Sequence, residues 1–148
     1  MLEGRMKLSI NRAKTRTVRL TAEPKAAGLD FLGYTFRYDR GLYGGGRYLN
    51  LFPSKKSQQR ARDRLRELTG PRWCFMPVVG MIARVNEHLR GWGTYFRLGY
   101  PRVAYRRIND FVGQRLTRHL RRRSQRPFRP PAGMSWYGQL HRLGLIKL

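Results

Sequence analysis

The sequence predicts an α+β, mainly α, protein in which an N-terminal β-hairpin region precedes a three-helix bundle and a short C-terminal helix. Two observations predict this fold class. Two aromatic-rich segments between residues 31 and 52 flank a glycine-rich segment, as the strands of a hairpin flank a turn. From residue 54 onward, apolar residues recur at steps of three and four, the spacing of one helix face. A chain of 148 residues is long enough for one compact core.

The predicted strands lie in residues 1–52. TRTVRL (residues 15–20) alternates as a short strand does, and AEPKAAG interrupts it. FLGYTFRY (residues 31–38) predicts the next strand, and RYLNLF (residues 47–52) predicts its antiparallel partner after the turn DRGLYGGG. We therefore assign residues 1–52 to the hairpin region.

The first two long helices have clear boundaries in the sequence. Ser54 is suited to cap the first, which Gly70 and Pro71 end. Pro77 is suited to the first turn of the second, where apolar residues alternate steps of four and three from residue 78 to residue 96. This second helix carries two glycines near its end, each of which costs about 1 kcal/mol relative to alanine.

The remaining chain predicts a third helix and a tail. An apolar stripe runs from residue 105 to residue 120, and arginines occupy the opposite face. Residues 53–126 therefore form the predicted bundle, and residues 127–148 form a proline-rich linker and C-terminal tail. Within the tail, Ser135 can cap a short helix that ends at Gly144.

Charge is the strongest compositional signal. The chain has 32 Lys and Arg against 8 Asp and Glu, which gives a formal net charge of +24. This excess favours a polyanionic partner, and arginine suits phosphate and bases. Because we find neither a secretory signal nor an apolar run of membrane length, we expect an intracellular, cytoplasmic protein without a membrane partner. We expect Cys74, the single cysteine, to be buried.

No pattern in the sequence predicts a catalytic residue, a metal site or a cofactor. Asp63 and Glu67 share one helix face, but neighbouring arginines would pair with them. His88, His119 and His141 are widely separated and have no adjacent metal-ligand pattern.

The three predicted helices carry basic and aromatic side chains, which together suit irregular or single-stranded RNA. The predicted RNA-binding residues are Lys55, Lys56 and Arg60 on the first helix, Arg84, Arg90, Gly91, Tyr95 and Arg97 on the second, and Arg107, Arg118, Arg121 and Arg122 on the third.

Several segments resemble the C-terminal part of group II intron reverse transcriptases, the intron-encoded maturases. The segments are FLGYTFRY, PSKKSQQRARDRLRELT, VNEHLRGWGTYFRLG and YRRINDFVGQRLTRHLRRR, and SINRAKTRTVRL is similar to the segment that precedes the FLG strand in that family. The resemblance implies that residues 1–52 close the palm and that residues 53–126 form the thumb, called domain X, which binds structured intron RNA and promotes splicing. It places the primer grip at Phe31, Leu32 and Gly33, and the maturase signature at Arg90, Gly91, Trp92, Tyr95 and Phe96.

The resemblance leaves three functions open. The first, which we favour, is a non-catalytic domain that binds structured group II intron RNA or another structured nucleic acid and assists the folding and splicing of the intron RNA. The second is one subunit of a split reverse transcriptase, with fingers and palm on a separate polypeptide. The third is a general nucleic-acid binder or a decayed remnant. The family's catalytic aspartates lie upstream of the matched region, so we expect no polymerase activity from this chain alone. We also expect Trp92 to lie in the core. Of Gly91 and Gly93, we expect one to allow close packing of a neighbouring helix and the other to allow the close approach of nucleic acid.

Overall fold

The computed structural model describes residues 20, 28–41, 44–125 and 128–148. Within these ranges the strands are β1 (Leu29–Phe31), β2 (Tyr34–Arg40) and β3 (Arg47–Pro53). The helices are α1 (Lys55–Leu68), α2 (Val78–Tyr95), α3 (Arg102–Arg122) and α4 (Trp136–Arg142), and a 3-10 turn spans Pro71–Trp73. The predicted fold class is confirmed. The strand predicted at residues 15–20 lies outside the described residues, Leu20 excepted.

The sheet has three antiparallel strands in the order β1-β2-β3. The prediction of one continuous strand over residues 31–38 is wrong. Leu32 and Gly33 have φ values of 48° and 82°, and they form a two-residue turn that pairs Phe31 with Tyr34. Two successive positive φ angles are typical of the tight turn whose twist matches that of the flanking strands. The predicted hairpin region therefore gains a short additional strand.

Tyr34 anchors the sheet to the end of α2. Its ring is buried, and the centre of this ring lies 4.9 Å from the centre of the Phe96 ring. Its hydroxyl donates a hydrogen bond to the carbonyl oxygen of Tyr95. The turn before Tyr34 is also tied to α1, because the carbonyl oxygen of Gly33 accepts a hydrogen bond of 2.8 Å from the Ser57 hydroxyl. These contacts position the β1–β2 turn beside α1 and α2.

A second attachment joins β3 to the loop between α2 and α3. The Tyr100 amide donates a hydrogen bond of 2.8 Å to the carbonyl oxygen of Leu51. Gly99 precedes it with φ 76°, and a Cβ at this position would lie 2.4 Å from that carbonyl oxygen. Glycine is required here both for its backbone conformation and for the close approach of the two backbones.

The predicted helix caps are largely confirmed. The Ser54 hydroxyl accepts a hydrogen bond from the Ser57 amide at the start of α1, and the Ser135 hydroxyl accepts one from the Gly138 amide at the start of α4. Pro77 is the N-cap of α2, with ψ 140°, and it therefore lies one position before the predicted first turn. An extended N-cap residue leaves the first helical position to Val78.

The hydrophobic core lies between α1, α2 and α3, with α4 and the residues after it covering one side. The apolar stripes predicted for the helices supply this core. Its fully buried members are Leu65, Met81, Ile82, Val85, Leu89, Ile108, Val112, Leu116, Leu120 and Leu140. Trp92 is partly buried and packs against this cluster. The prediction that Cys74 is buried is wrong, because it lies exposed in the loop after the 3-10 turn.

Two buried asparagines attach the C-terminal segment to the helices. Asn86 on α2 donates to the carbonyl oxygen of Gly144 at 2.7 Å and accepts from the Ile146 amide at 3.1 Å. Asn109 on α3 makes the same pair of bonds with Leu148, at 3.3 and 3.1 Å. Each amide side chain thereby satisfies one donor and one acceptor of the tail, which lets the tail backbone lie against the bundle.

Candidate nucleic-acid interface

Most of the basic residues predicted to bind RNA are exposed and have no carboxylate partner among the described residues. In the described part of the chain the salt bridges are local, namely Arg37–Asp39 on β2 and Arg64–Glu67 and Arg66–Asp63 on α1. The pairing expected for Asp63 and Glu67 is therefore confirmed. The basic residues of the predicted set that are exposed and lie outside these pairs are Lys55, Lys56, Arg60, Arg90, Arg97, Arg107, Arg118, Arg121 and Arg122. The assignment of Arg97 to the second helix is wrong, because α2 ends at Tyr95 and Arg97 lies in the loop that follows.

Lys55 and Lys56 occupy an electrostatically unfavourable position. They form part of the first turn of α1, which contains no acidic residue. The unpaired amides of a helix N-terminus carry partial positive charge, which favours anions and disfavours cations there. Two lysines at this end intensify the positive potential, and an approaching phosphate would relieve it.

The β1–β2 turn, α1 and α2 line an open groove of about 450 Å³, which we call the hairpin groove. It brings together the primer-grip residues Leu32 and Gly33 with the predicted RNA-binding residues Arg60 and Tyr95. Trp92 and Phe96 of the maturase signature line it as well. The complete lining is Leu32, Gly33, Ser57, Arg60, Ala61, His88, Trp92, Tyr95 and Phe96. Phe31, the remaining residue matched to the primer grip, lies exposed next to this groove at the end of β1.

Hydrogen bonds hold the walls of the hairpin groove together. The Tyr95 hydroxyl donates to the carbonyl oxygen of Leu32 at 2.9 Å, which fixes the end of α2 against the turn. Burial, reinforced by the nearby Arg64 charge, lowers the pKa of His88. A lowered pKa keeps this imidazole neutral near pH 7. The groove is thus a mainly uncharged, aromatic surface with one guanidinium group, that of Arg60, in its lining.

The two glycines near the end of α2 have different surroundings. A Cβ on Gly93 would lie 2.6 Å from Cδ2 of Leu148, so Gly93 makes room for the C-terminal residue. A Cβ on Gly91 would meet no described atom within 4 Å. Gly93 is therefore the packing glycine, although it packs against the tail and not against another helix. The expectation that Gly91 lies beside nucleic acid stays a prediction.

Arg84 differs from the other predicted residues because it is half-buried against an aromatic ring. Its guanidinium group lies 4.2 Å from the centre of the Trp73 ring. A cation stacked at this distance stabilises the contact between α2 and the 3-10 turn. Its charge still contributes to the positive potential, but a direct RNA contact by Arg84 stays a prediction.

Three predicted arginines, Arg118, Arg121 and Arg122, line a cavity of about 610 Å³ between α3 and α4, which we call the α3–α4 cleft. The Arg121 guanidinium group lies 5.1 Å from the centre of the Trp136 ring. The complete lining is Asp110, Gly113, Gln114, Thr117, Arg118, Arg121, Arg122, Trp136, Tyr137 and Leu140. Arg107 lines neither this cleft nor the hairpin groove.

A second arginine-rich cavity, of about 360 Å³, shares Arg118 and Arg122 with the α3–α4 cleft and is also lined by Arg115 and Arg123. Arg115 donates through Nε to the Thr69 hydroxyl at 3.1 Å, and His119 Nδ1 lies 3.2 Å from the Thr69 carbonyl oxygen. Burial lowers the pKa of His119, and neighbouring arginines lower it further. A neutral imidazole that donates from Nδ1 satisfies this geometry.

Sequence reasoning missed Arg115 and Tyr137. Arg115, Arg118 and Arg122 are spaced by three and four residues and therefore share a helix face, so the spacing could have revealed Arg115. Tyr137 reaches the cleft because α4 packs against α3, and no local pattern reports that packing.

The part of the chain that the structure describes contains neither a group of metal ligands nor a helix that could span a membrane. No three residues among its His, Cys, Asp and Glu side chains are grouped so as to hold a metal ion. None of the helices in these ranges combines the length and the apolar character that a bilayer crossing needs.

A comparison with protein families gives one match. The model of the family described as "Group II intron, maturase-specific domain" matches residues 58–135. The match covers more than half of the 148 residues and includes most of α1, all of α2 and α3, and the chain up to the cap of α4. No match was found among the curated proteins.

Proposed function

Because the chain belongs to the group II intron maturase-specific domain family, we propose that it binds structured group II intron RNA and assists the folding and splicing of that RNA without performing chemistry itself. One observation carries the proposal beyond family membership. Exposed arginines on each of the three helices of the matched region, among them Arg60, Arg90 and Arg118, lie outside the salt bridges of the described residues. A folded RNA would neutralise this charge.

The mechanism we infer is electrostatic capture followed by recognition of shape. Arginine binds phosphate through two parallel hydrogen bonds, and neutralising each phosphate releases condensed counterions. Aromatic side chains and cavity walls then favour irregular RNA over a regular duplex, because unpaired bases can enter them. The hairpin groove and the α3–α4 cleft supply such walls beside arginines.

The first test is filter binding of the full chain to a group II intron RNA, with tRNA and duplex DNA as competitors, from roughly 50 to roughly 500 mM salt. We expect affinity to fall steeply with salt while the preference for the intron persists. Equal affinity for all three nucleic acids, or affinity that salt leaves unchanged, would overturn the proposal.

Two arginines one turn apart on α1 offer a matched pair of variants. Arg60 lines the hairpin groove and lies outside the salt bridges, whereas Arg64 is paired with Glu67 at 2.8 Å. We expect Arg60→Gln to weaken intron binding and to reduce the salt dependence by about one phosphate contact. Arg64→Gln removes the same formal charge, and we expect it to change both quantities less. Equal effects of the two variants would assign binding to overall charge alone.

Assistance in splicing is tested separately by the rate at which the intron RNA splices with and without the chain. The assay is run at a Mg²⁺ concentration at which the RNA alone folds slowly. We expect the chain to raise the rate and Arg60→Gln to lower the gain. Tight, specific binding without any gain in rate would restrict the function to RNA binding.

A split reverse transcriptase remains the second candidate because of the apolar surface at the β1–β2 turn. Phe31 and Leu32 are 59% and 68% exposed, and Leu49 on β3 is exposed as well. Such a surface is suited to contact with another polypeptide. The test mixes the chain with a polypeptide that carries fingers and palm with a Tyr-Ala-Asp-Asp segment. Primer extension that requires both chains would favour this candidate, and extension unaffected by the chain would remove it.

A further inference from the structure

A further cavity, of about 760 Å³, continues the α3–α4 cleft toward the start of α3. Tyr137 and Asp110 line both cavities, so the two lie side by side along α3, and we call them together the α3 groove. The 21 residues of α3 span about 30 Å at 1.5 Å per residue. The groove therefore offers a path several nucleotides long.

Cationic side chains line both ends of the α3 groove. Arg102, Arg106 and Lys147 line one end, and Arg118, Arg121 and Arg122 line the other. All six lie outside the salt bridges between described residues. Positive charge along both halves of a groove is what an electrostatic path for a phosphate backbone requires.

The middle of the α3 groove has different chemistry, because Asp110 and Tyr137 lie there. Asp110 contributes a carboxylate, which repels phosphate but accepts hydrogen bonds from the amino group of a base. Tyr137 is 40% exposed, and its ring edge lies beside Gly113 of α3, where an added Cβ would be in ordinary contact with it at 3.6 Å. The centre of the groove thus suits a base, and the ends suit phosphates.

Tyr137 is the better stacking platform of the two aromatic residues on α4. The Arg121 guanidinium group already stacks on the Trp136 ring, as described above. Tyr137 makes an edge contact with the His141 ring, with the ring centres 4.5 Å apart. An exposed ring held from the side by a neighbour is preorganised to receive a base.

We propose that the α3 groove binds an unpaired stretch of RNA, with one base stacked on Tyr137 and the flanking phosphates on the arginines at the two ends. This inference rests on the proposed RNA-binding function and specifies which RNA the groove accepts. A regular duplex keeps its bases stacked on one another, so it cannot offer a base to Tyr137.

The test uses the full chain and a single-stranded RNA of about twelve nucleotides that carries 2-aminopurine, a fluorescent base, at its centre. Stacking on a tyrosine ring quenches this fluorescence. We expect the unmodified chain and Tyr137→Phe to quench equally, and we expect Tyr137→Leu to lose the quenching and about 5- to 100-fold in affinity. Phe75→Leu is the matched control, because Phe75 is an exposed aromatic residue outside the groove lining. Circular dichroism verifies that each variant is folded.

Two results would overturn the inference. One is affinity of Tyr137→Leu equal to that of Phe75→Leu, and the other is equal competition by a duplex of the same sequence. Either result, with salt-dependent preference for intron RNA retained, would leave the proposed function standing. If the preference for intron RNA is lost while Tyr137 still quenches the fluorescence, the proposed function is removed and the chain is a binder of unpaired RNA.

Discussion

The sheet and the helical bundle differ in how each is stabilised. The helices bury a continuous apolar cluster that includes Leu65, Val85 and Leu116. The sheet buries Tyr34 and Pro53, but it leaves much of its remaining apolar surface accessible. Because burial of apolar surface is the dominant stabilising term in folding, the bundle carries most of the stability, and the sheet depends on its attachment to the bundle.

The largest expected effect comes from a cavity in the bundle. Leu116 is fully buried, and we expect Leu116→Ala to lower the free energy of unfolding by about 2–5 kcal/mol. Leu49→Ala removes the same atoms from an exposed position on β3, and we expect a change within about 0.5 kcal/mol. Urea unfolding followed by circular dichroism measures both. Similar losses in the two variants would contradict the assignment of stability to the bundle.

A smaller effect is expected where the sheet joins the bundle. Gly99→Ala forces a side chain into the space of the Leu51 carbonyl oxygen and a positive φ on a residue with a Cβ. We expect the local stability of the sheet to fall by about 1–3 kcal/mol. Hydrogen exchange measures this loss, because the variant should accelerate exchange in β3 more than in α3 relative to the unmodified chain. Gly44 also has a positive φ, 104°, but a Cβ there meets no described atom within 4 Å. Gly44→Ala therefore reports the backbone cost alone, and an equal effect there would show that the contact with Leu51 contributes nothing.

The same contrast explains what the sequence could predict of the fold. The bundle was predictable because its signals are local, such as the caps at Ser54 and Ser135 and the apolar stripes of the three long helices. The start of the sheet was not, because a leucine with positive φ has no sequence signature and Leu32 there turns one predicted strand into two. Cys74 was misplaced because its exposure depends on how the loop between α1 and α2 is arranged.

The candidate interface divides in a similar way. Arginines on a helix face follow from the helical period, so the residues on α1, α2 and α3 could be proposed from the sequence. The hairpin groove and the α3 groove could not, because each needs elements that are distant in the chain. Tyr95 lies 63 residues after Leu32, and Tyr137 meets Gly113 only through the packing of α4 on α3.

Gly91 and Gly93 sharpen the contrast within α2 itself. Gly91 faces open space, so we expect Gly91→Ala to raise the stability by up to about 1 kcal/mol through helix propensity. In Gly93→Ala the new methyl group displaces the tip of Leu148, and we expect this cost to offset the gain. Thermal unfolding of both variants measures the difference. A gain for Gly93→Ala as large as that for Gly91→Ala would show that the tail contact contributes little.

The smallest expected effect is a difference in acid sensitivity between the two regions. Burial lowers the pKa of His119 and of His88 in the bundle, so the unfolded chain binds more protons than the folded chain below about pH 6.5. Stability from these neutral histidines is complete above that pH and is lost as the pH falls. In the sheet, the hydrogen bond from Arg37 lowers the pKa of Asp39. The ionised Asp39 therefore contributes to the stability of the fold until the pH falls below about 4.

Acidification from pH 7 to pH 5 should therefore weaken the bundle before it breaks the Arg37–Asp39 pair. We expect urea unfolding at the two pH values to show a loss of stability in the unmodified chain and a smaller loss in His119→Gln, whose side chain cannot become charged beside Arg115 and Arg123. Asp39→Asn is the control in the sheet, and we expect it to lower stability equally at both pH values, since Asp39 is ionised at each. An identical loss in His119→Gln and the unmodified chain would assign the acid sensitivity to a group other than His119.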